Sequence, residues 1–183
     1  MSPERLARAQ VRLQAVFDDI AATRMQGLPI LNPALAVELV GLRAWQGCAL
    51  GVLVTPWTIN LVLLADAEGP AALPVLPLGA EQIWQFPSGA YAFMGFQDER
   101  LGPCQLCPLI SPVHELGSQA EALALADEVL ALLLAPLAGP VGADAAAGSA
   151  RAGGSSIATG PAARARSPVP SRRAFLRAVV PGR

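Results

Sequence analysis

The chain has 183 residues, 53% hydrophobic and 15% charged, enough apolar material for a buried core in one domain with room for an appendage. That balance excludes a wholly disordered protein. Residues 1–144 hold all 14 acidic residues and six Arg, a formal −8, whereas residues 145–183 hold seven Arg and no acid, a formal +7. An acidic body argues against nucleic acid as the partner, and opposite charges in one chain favour a short-range contact between its two parts.

Ser2-Pro3-Glu4 reads as a helix start: a capping serine, proline at the first helical position and a carboxylate at the positive end of the dipole. Leu6, Leu13, Val16, Phe17 and Ile20 follow at helical spacing, and Gly27 with Pro29 supplies a stop. Six charged side chains between Glu4 and Asp19 leave no apolar region for an N-terminal export signal, so the expectation is a cytoplasmic protein. Val37–Trp45, Cys48–Val54 and Thr58–Leu64 are short, rich in β-branched and aliphatic residues, and separated by turn residues. The charge-free run Ala44–Ala65 has the length of a bilayer span, but Gly47, Gly51, Thr55, Pro56, Thr58 and Asn60 interrupt it, so it reads as two strands around a turn and no membrane insertion is expected.

Asp66–Pro77 reads as loop, Glu81–Phe86 carries no decisive period, and Gly89–Phe96 and Leu101–Leu109 form a further pair around Gln97-Asp98-Glu99-Arg100. Connections this short join antiparallel neighbours. Ser118-Gln119-Ala120-Glu121 is a capping box that opens a helix running to Ala135. The expected fold is α+β over residues 1–137: an N-terminal helix, an antiparallel meander and a C-terminal helix. Residues 138–170, almost all Ala, Gly, Ser, Pro and Arg, read as a flexible linker, and 171–183 as a distinct terminal segment of a disordered tail.

Catalytic tools are sparse. His114 is the single histidine, and no phosphate loop, nucleophile elbow or zinc-protease motif is present. Cys104 and Cys107 form a Cys-x-x-Cys, but on a strand their side chains point to opposite faces, and only Cys48 remains as a third thiol. Buried structural thiols are the expectation, with thiol or iron handling at Cys104 and Cys107 the alternative; neither a metal nor a cofactor is expected.

Trp57, Trp84, Phe86, Tyr91 and Phe93 cluster in the strand region, near the carboxylates Asp98, Glu99 and Glu115. An apolar groove with acidic rims would take a peptide bearing Arg-Arg-x-Phe-Leu, because Arg pairs carboxylates while Phe and Leu fill pockets. The chain itself ends in such a peptide. Ser171-Arg172-Arg173-Ala174-Phe175-Leu176-Arg177 matches the twin-arginine export motif Ser-Arg-Arg-x-Phe-Leu-Lys with Arg in the last place. Only Ala178, Val179 and Val180 follow before Pro181, too short a run for a working signal. Three readings stay open: the segment occupies its own domain's groove, is displayed to another factor, or is incidental. A binder of anionic partners acting through the Arg-rich tail is a further alternative.

Four segments carry a family resemblance: Gly27-Leu28-Pro29-Ile30-Leu31-Asn32-Pro33, Gly51-Val52-Leu53-Val54-Thr55-Pro56-Trp57, Phe86-Pro87-Ser88-Gly89 and Cys107-Pro108-Leu109-Ile110-Ser111-Pro112. In combination they resemble the HybE/HupJ-type assembly chaperones of [NiFe]-hydrogenases over roughly residues 5–135, and the terminal Ser-Arg-Arg segment extends the likeness. The resemblance implies a non-enzymatic accessory factor that binds the small-subunit precursor, with its twin-arginine signal and iron–sulfur clusters, until assembly is complete. Other maturation proteins are implied as further partners. Some members of the family are fused to rubredoxin, and no rubredoxin half is present in this sequence.

Overall fold

The computed structural model describes residues 1–136 apart from 67, 68, 70–72 and 78; the expected linker and the terminal segment lie outside the described residues. In chain order the elements are α1 (Pro3–Ala22), β1 (Glu38–Trp45), β2 (Cys48–Val54), β3 (Ile59–Ala65), β4 (Glu81–Phe86), β5 (Gly89–Phe96), β6 (Cys104–Ile110) and α2 (Gln119–Leu134). This is the α+β architecture expected, with Glu81–Phe86 resolved as a strand. Local chemistry sets both helix starts. The Ser2 hydroxyl accepts from the Arg5 amide at 3.4 Å and the Ser118 hydroxyl from the Glu121 amide at 3.2 Å. Glu121 completes its box one residue early, accepting from the Gly117 amide at 2.8 Å. Among the described residues no helix is long and apolar enough to cross a membrane.

All strand pairs are antiparallel, in the order β1-β2-β3-β6-β5-β4. Two three-stranded meanders therefore meet at β3 and β6. The helices lie on opposite faces of the sheet. Ala122, Ala126, Val129, Leu130 and Leu133 of α2 pack with Leu50, Val52, Leu61, Leu63, Phe93 and Cys107. Ala9, Leu13, Val16, Phe17 and Ile20 of α1 pack with Leu53, Val62, Leu64 and Cys104 on the other side. Every residue of β2 and β3 is buried as a result. Their unbroken apolar runs, CALGVLV and INLVLLA, are what two-sided burial demands.

Gly41 admits the tightest helix contact: it sits at φ +61° in a bulge of β1, and Leu130 of α2 occupies the space a Cβ would need. The sheet is strongly curled towards α2. Trp45 at the end of β1 stacks on Phe86 at the end of β4, with centroids 4.3 Å apart and planes 12° apart, although these strands are the outermost of the six. Diagonal corners of a twisted sheet thus meet through aromatic rings instead of a hydrogen-bonded ladder.

Candidate functional site

The aromatics singled out in the sequence are gathered on one face, with the exception of Trp57. Trp45 meets Trp84 edge-on at 5.7 Å, and Phe86 contacts Tyr91 at 5.6 Å and Phe93 at 6.0 Å. They do not form an open groove. Phe86, Tyr91 and Phe93 are buried against α2, so these rings close the curled sheet. Gln105, fully buried on the same face, fixes the neighbouring strands: it accepts from Trp84 Nε1 at 2.9 Å and donates to Gln82 Oε1 at 3.0 Å and to the Pro74 carbonyl at 3.1 Å. The loop before β4 can cross here because residue 95 is glycine: a Cβ there would lie 2.7 Å from the Leu76 carbonyl oxygen.

Trp57 and Glu115 lie at one end of the sheet, where three of the resemblance-bearing segments converge. Asn32 donates from its amide to the Val113 carbonyl at 2.9 Å and the Leu116 carbonyl at 2.8 Å, accepts from the Ala34 amide at 3.0 Å, and its backbone N–H reaches the Pro56 carbonyl at 2.7 Å. The Thr58 hydroxyl donates to the Ile110 carbonyl at 2.9 Å. Thr55 closes the β2–β3 turn, accepting from the Thr58 amide at 3.0 Å and donating to the Thr58 carbonyl at 2.7 Å. These motif residues act as a knot that fixes three loops. Trp57 is half-buried on the α1 side of the sheet, and Glu115 is exposed beside the exposed His114.

Asp98 and Glu99 occupy the opposite end, the length of β6 away, roughly 20 Å for seven residues. The acidic rim expected from all three carboxylates is therefore not one rim. Asp98 and Glu99 do line an open cleft of about 710 Å³, together with Arg24, Arg100, Val75, Leu76, Phe96 and Cys104. Arg100 pairs bidentately with Asp98, Nε to Oδ1 at 2.9 Å and Nη2 to Oδ2 at 2.9 Å, and reaches Asp19 of α1 at 3.3 Å. These hydrogen bonds, with Arg100 as their main source, lower the Asp98 carboxyl to about 2. Glu99 is exposed, with no ion pair among the described residues.

The cleft opens onto a surface that the sequence reading missed. Cross-strand partners share a face, and the pairs Ile83↔Ala92, Gln85↔Ala90, Glu81↔Met94 and Met94↔Leu106 all lie on the side away from α2. α1 covers that side over β1–β3 and reaches beyond them to Phe96, Cys104 and Leu106. Ile83 is 60% exposed, Ala90, Ala92, Met94 and Leu106 are partly exposed, and Ile83, Ala90, Ala92 and Met94 belong to neither core cluster. Phe96, stacked on Phe17 of α1 at 5.1 Å, joins this strip to the cleft. One signal was present: Ile83 and Trp84 are adjacent, so in a strand they face opposite sides of the sheet and cannot both join the aromatic cluster.

The thiols behave as buried structure. Cys104 packs on the α1 side and Cys107 on the α2 side, so β6 stands between them and they can neither bond nor chelate together. Burial pushes the Cys104 thiol up to about 12, with Asp98 adding to the shift, and burial also raises Cys48. A thiol held protonated at neutral pH is a poor nucleophile and metal ligand. Among the described residues no group of three or more His, Cys, Asp or Glu is placed to hold a metal.

The family described as "[NiFe]-hydrogenase assembly, chaperone, HybE" matches residues 8–178. The chain belongs to this family. Among its relatives, the hydrogenase expression/formation protein HoxT of Azotobacter vinelandii is 50% identical over 125 residues, covering 66% of this chain and 78% of HoxT. The probable rubredoxin HupJ of Rhodobacter capsulatus is 36% identical over 118 residues, 64% of this chain but 42% of HupJ. The solution structure of HybE from Escherichia coli shares the fold with a TM-score of 0.57 at 23% identity, covering 81% of this chain and 91% of that one. The HybE-family chain is thus an assembly chaperone of hydrogenase maturation. The signal-like residues Ser171, Arg172, Arg173, Phe175 and Leu176 lie within the family match and outside the described residues.

Proposed function

We propose that this chaperone binds the small-subunit precursor of a [NiFe]-hydrogenase through its twin-arginine signal, on the uncovered face of β4–β5–β6 and the cleft at its end. The observation that carries the reading is the uncovered apolar strip Ile83, Ala92 and Met94, continued by the half-buried Leu106 and Phe96 to Asp98 and Glu99. A signal bearing Arg-Arg-x-Phe-Leu would lay its apolar side chains on the strip. Its arginines would pair with Glu99 and Glu81, or replace Arg100 at Asp98. Lateral pairing with the exposed edge of β4 would add main-chain hydrogen bonds. The aromatics Trp84, Phe86, Tyr91 and Phe93 support the site from beneath by fixing the curvature of the strands.

The test is a binding measurement with the precursor and with the same subunit lacking its signal. The precursor should bind at micromolar strength or better, on the order of −8 kcal/mol, and Ile83→Asp should abolish it. Equal binding of both forms, or indifference to Ile83→Asp, would sink the proposal.

A further inference from the structure

We infer that in the free protein the uncovered face of β4–β5–β6 is occupied by the chain's own segment Ser171–Val180. Four observations converge on this occupant. On this face Ile83, Ala90, Ala92 and Met94 form an apolar patch outside both core clusters. The chain departs at the right place: the last turn of α2 is pinned to the β4–β5 hairpin, with the Ser88 amide and hydroxyl donating to the Leu133 carbonyl at 3.3 and 2.9 Å. Residues 137–183 therefore start from the tip of the hairpin that carries the bare face. A chain of the length of residues 137–170 can reach on the order of 30 Å, which exceeds the length of β4 or β5.

Charge selects the same segment. Residues 145–183 hold seven Arg and no acid, and the face and its cleft present the carboxylates of Glu81 and Glu99, beside Arg24 and the Asp98–Arg100 pair. Within that tail, Phe175, Leu176, Val179 and Val180 form the densest apolar group, immediately after Arg172 and Arg173. Finally, the family match runs through residue 178 instead of ending with α2. Seated on the strip, Phe175 and Leu176 cover Ile83 and Met94 while the arginines reach the carboxylates. A tethered ligand of this kind acts at an effective concentration near millimolar, so even weak intrinsic affinity keeps it bound.

The consequence for clients rests on the proposed function: the segment is a built-in competitor that a twin-arginine signal must displace. Two measurements on the full chain separate the two ideas. In the first, Ile83→Cys with Phe175→Cys is compared with Val11→Cys and Phe175→Cys under mild oxidation. Val11 is 69% exposed on α1 beside Arg8 and Arg12, and the three native cysteines are buried. An intramolecular disulfide should form at position 83 and not at position 11. Equal yields, no bond at 83, or a bond only between chains would overturn the docking.

In the second, a synthetic twin-arginine signal peptide from a hydrogenase small subunit is titrated into the full chain and into Arg172→Ala/Arg173→Ala/Phe175→Ala. The variant should bind about tenfold tighter or more, the factor by which 90% occupancy lowers an apparent affinity. Equal affinity would overturn the occupancy of the face. A peptide that binds neither protein would defeat the signal-binding function, while the disulfide result still decides where the segment sits.

Discussion

The two halves of the sheet are built from the same unit, a three-stranded antiparallel meander, and they differ in how many faces are covered. β1–β2–β3 lies between α1 and α2, so β2 and β3 are buried from end to end. β4–β5–β6 has α2 and the closing aromatics on one face and solvent over much of the other. On the proposed function, stability and recognition are thereby separated within one sheet. The covered half supplies most of the apolar burial that holds the fold, and the bare half presents residues whose exposure costs stability and invites a partner.

The contrast can be broken first by truncation. Leu61→Ala in β3 should cost about 2–5 kcal/mol in thermal or denaturant unfolding, whereas Ile83→Ala in β4 should cost no more than about 1.4 kcal/mol, the stabilisation that 90% occupancy of the face supplies. Comparable losses at both positions would mean that the bare face is packed in solution by something strongly stabilising. Gln105→Leu tests the hub under the recognition half. Leaving Trp84 Nε1, the Pro74 carbonyl and Gln82 without their partner should cost about 1–3 kcal/mol and loosen the loop before β4, read by faster amide exchange there.

Asn32→Ala at the opposite end should cost a similar amount, about 1–3 kcal/mol, because two buried carbonyls lose their donor. Exchange at β4 and β5 should then stay unchanged, which distinguishes the knot from the hub.

The smallest effect concerns the charged cleft. The folded Asp98 carboxyl lies at about 2, below its ordinary value near 4, so the Asp98–Arg100 pair stabilises fully above about pH 4 and is lost as pH falls through about 2. Asp98→Asn should flatten the stability profile across that window and leave it unchanged at pH 7 in slope. An identical acid limb in variant and parent would show that the pair contributes nothing.

Much of the fold was legible in local chemistry. Ser2-Pro3 and Ser118 capped helices where they stood, and the apolar runs of β2 and β3 were already readable as strands. Cys104 and Cys107 fell on opposite faces because strand alternation requires it. The candidate site was legible only in pieces. Asp98 and Glu99 line the cleft, but the aromatics beside them in the sequence point into the core, and Ile83, Met94 and Leu106 line the open strip instead.

The reason is that alternation assigns side chains to two faces without saying which face is covered. Sequence by itself determined the helices, the strands, the charge division between body and tail, and the terminal Arg-Arg-x-Phe-Leu. Only the tertiary structure decided that β3 pairs with β6, that the sheet curls until Trp45 meets Phe86, and that α1 leaves Ile83, Ala90, Ala92 and Met94 uncovered. Those outcomes depend on contacts between residues far apart in the chain, whose total burial no local window contains.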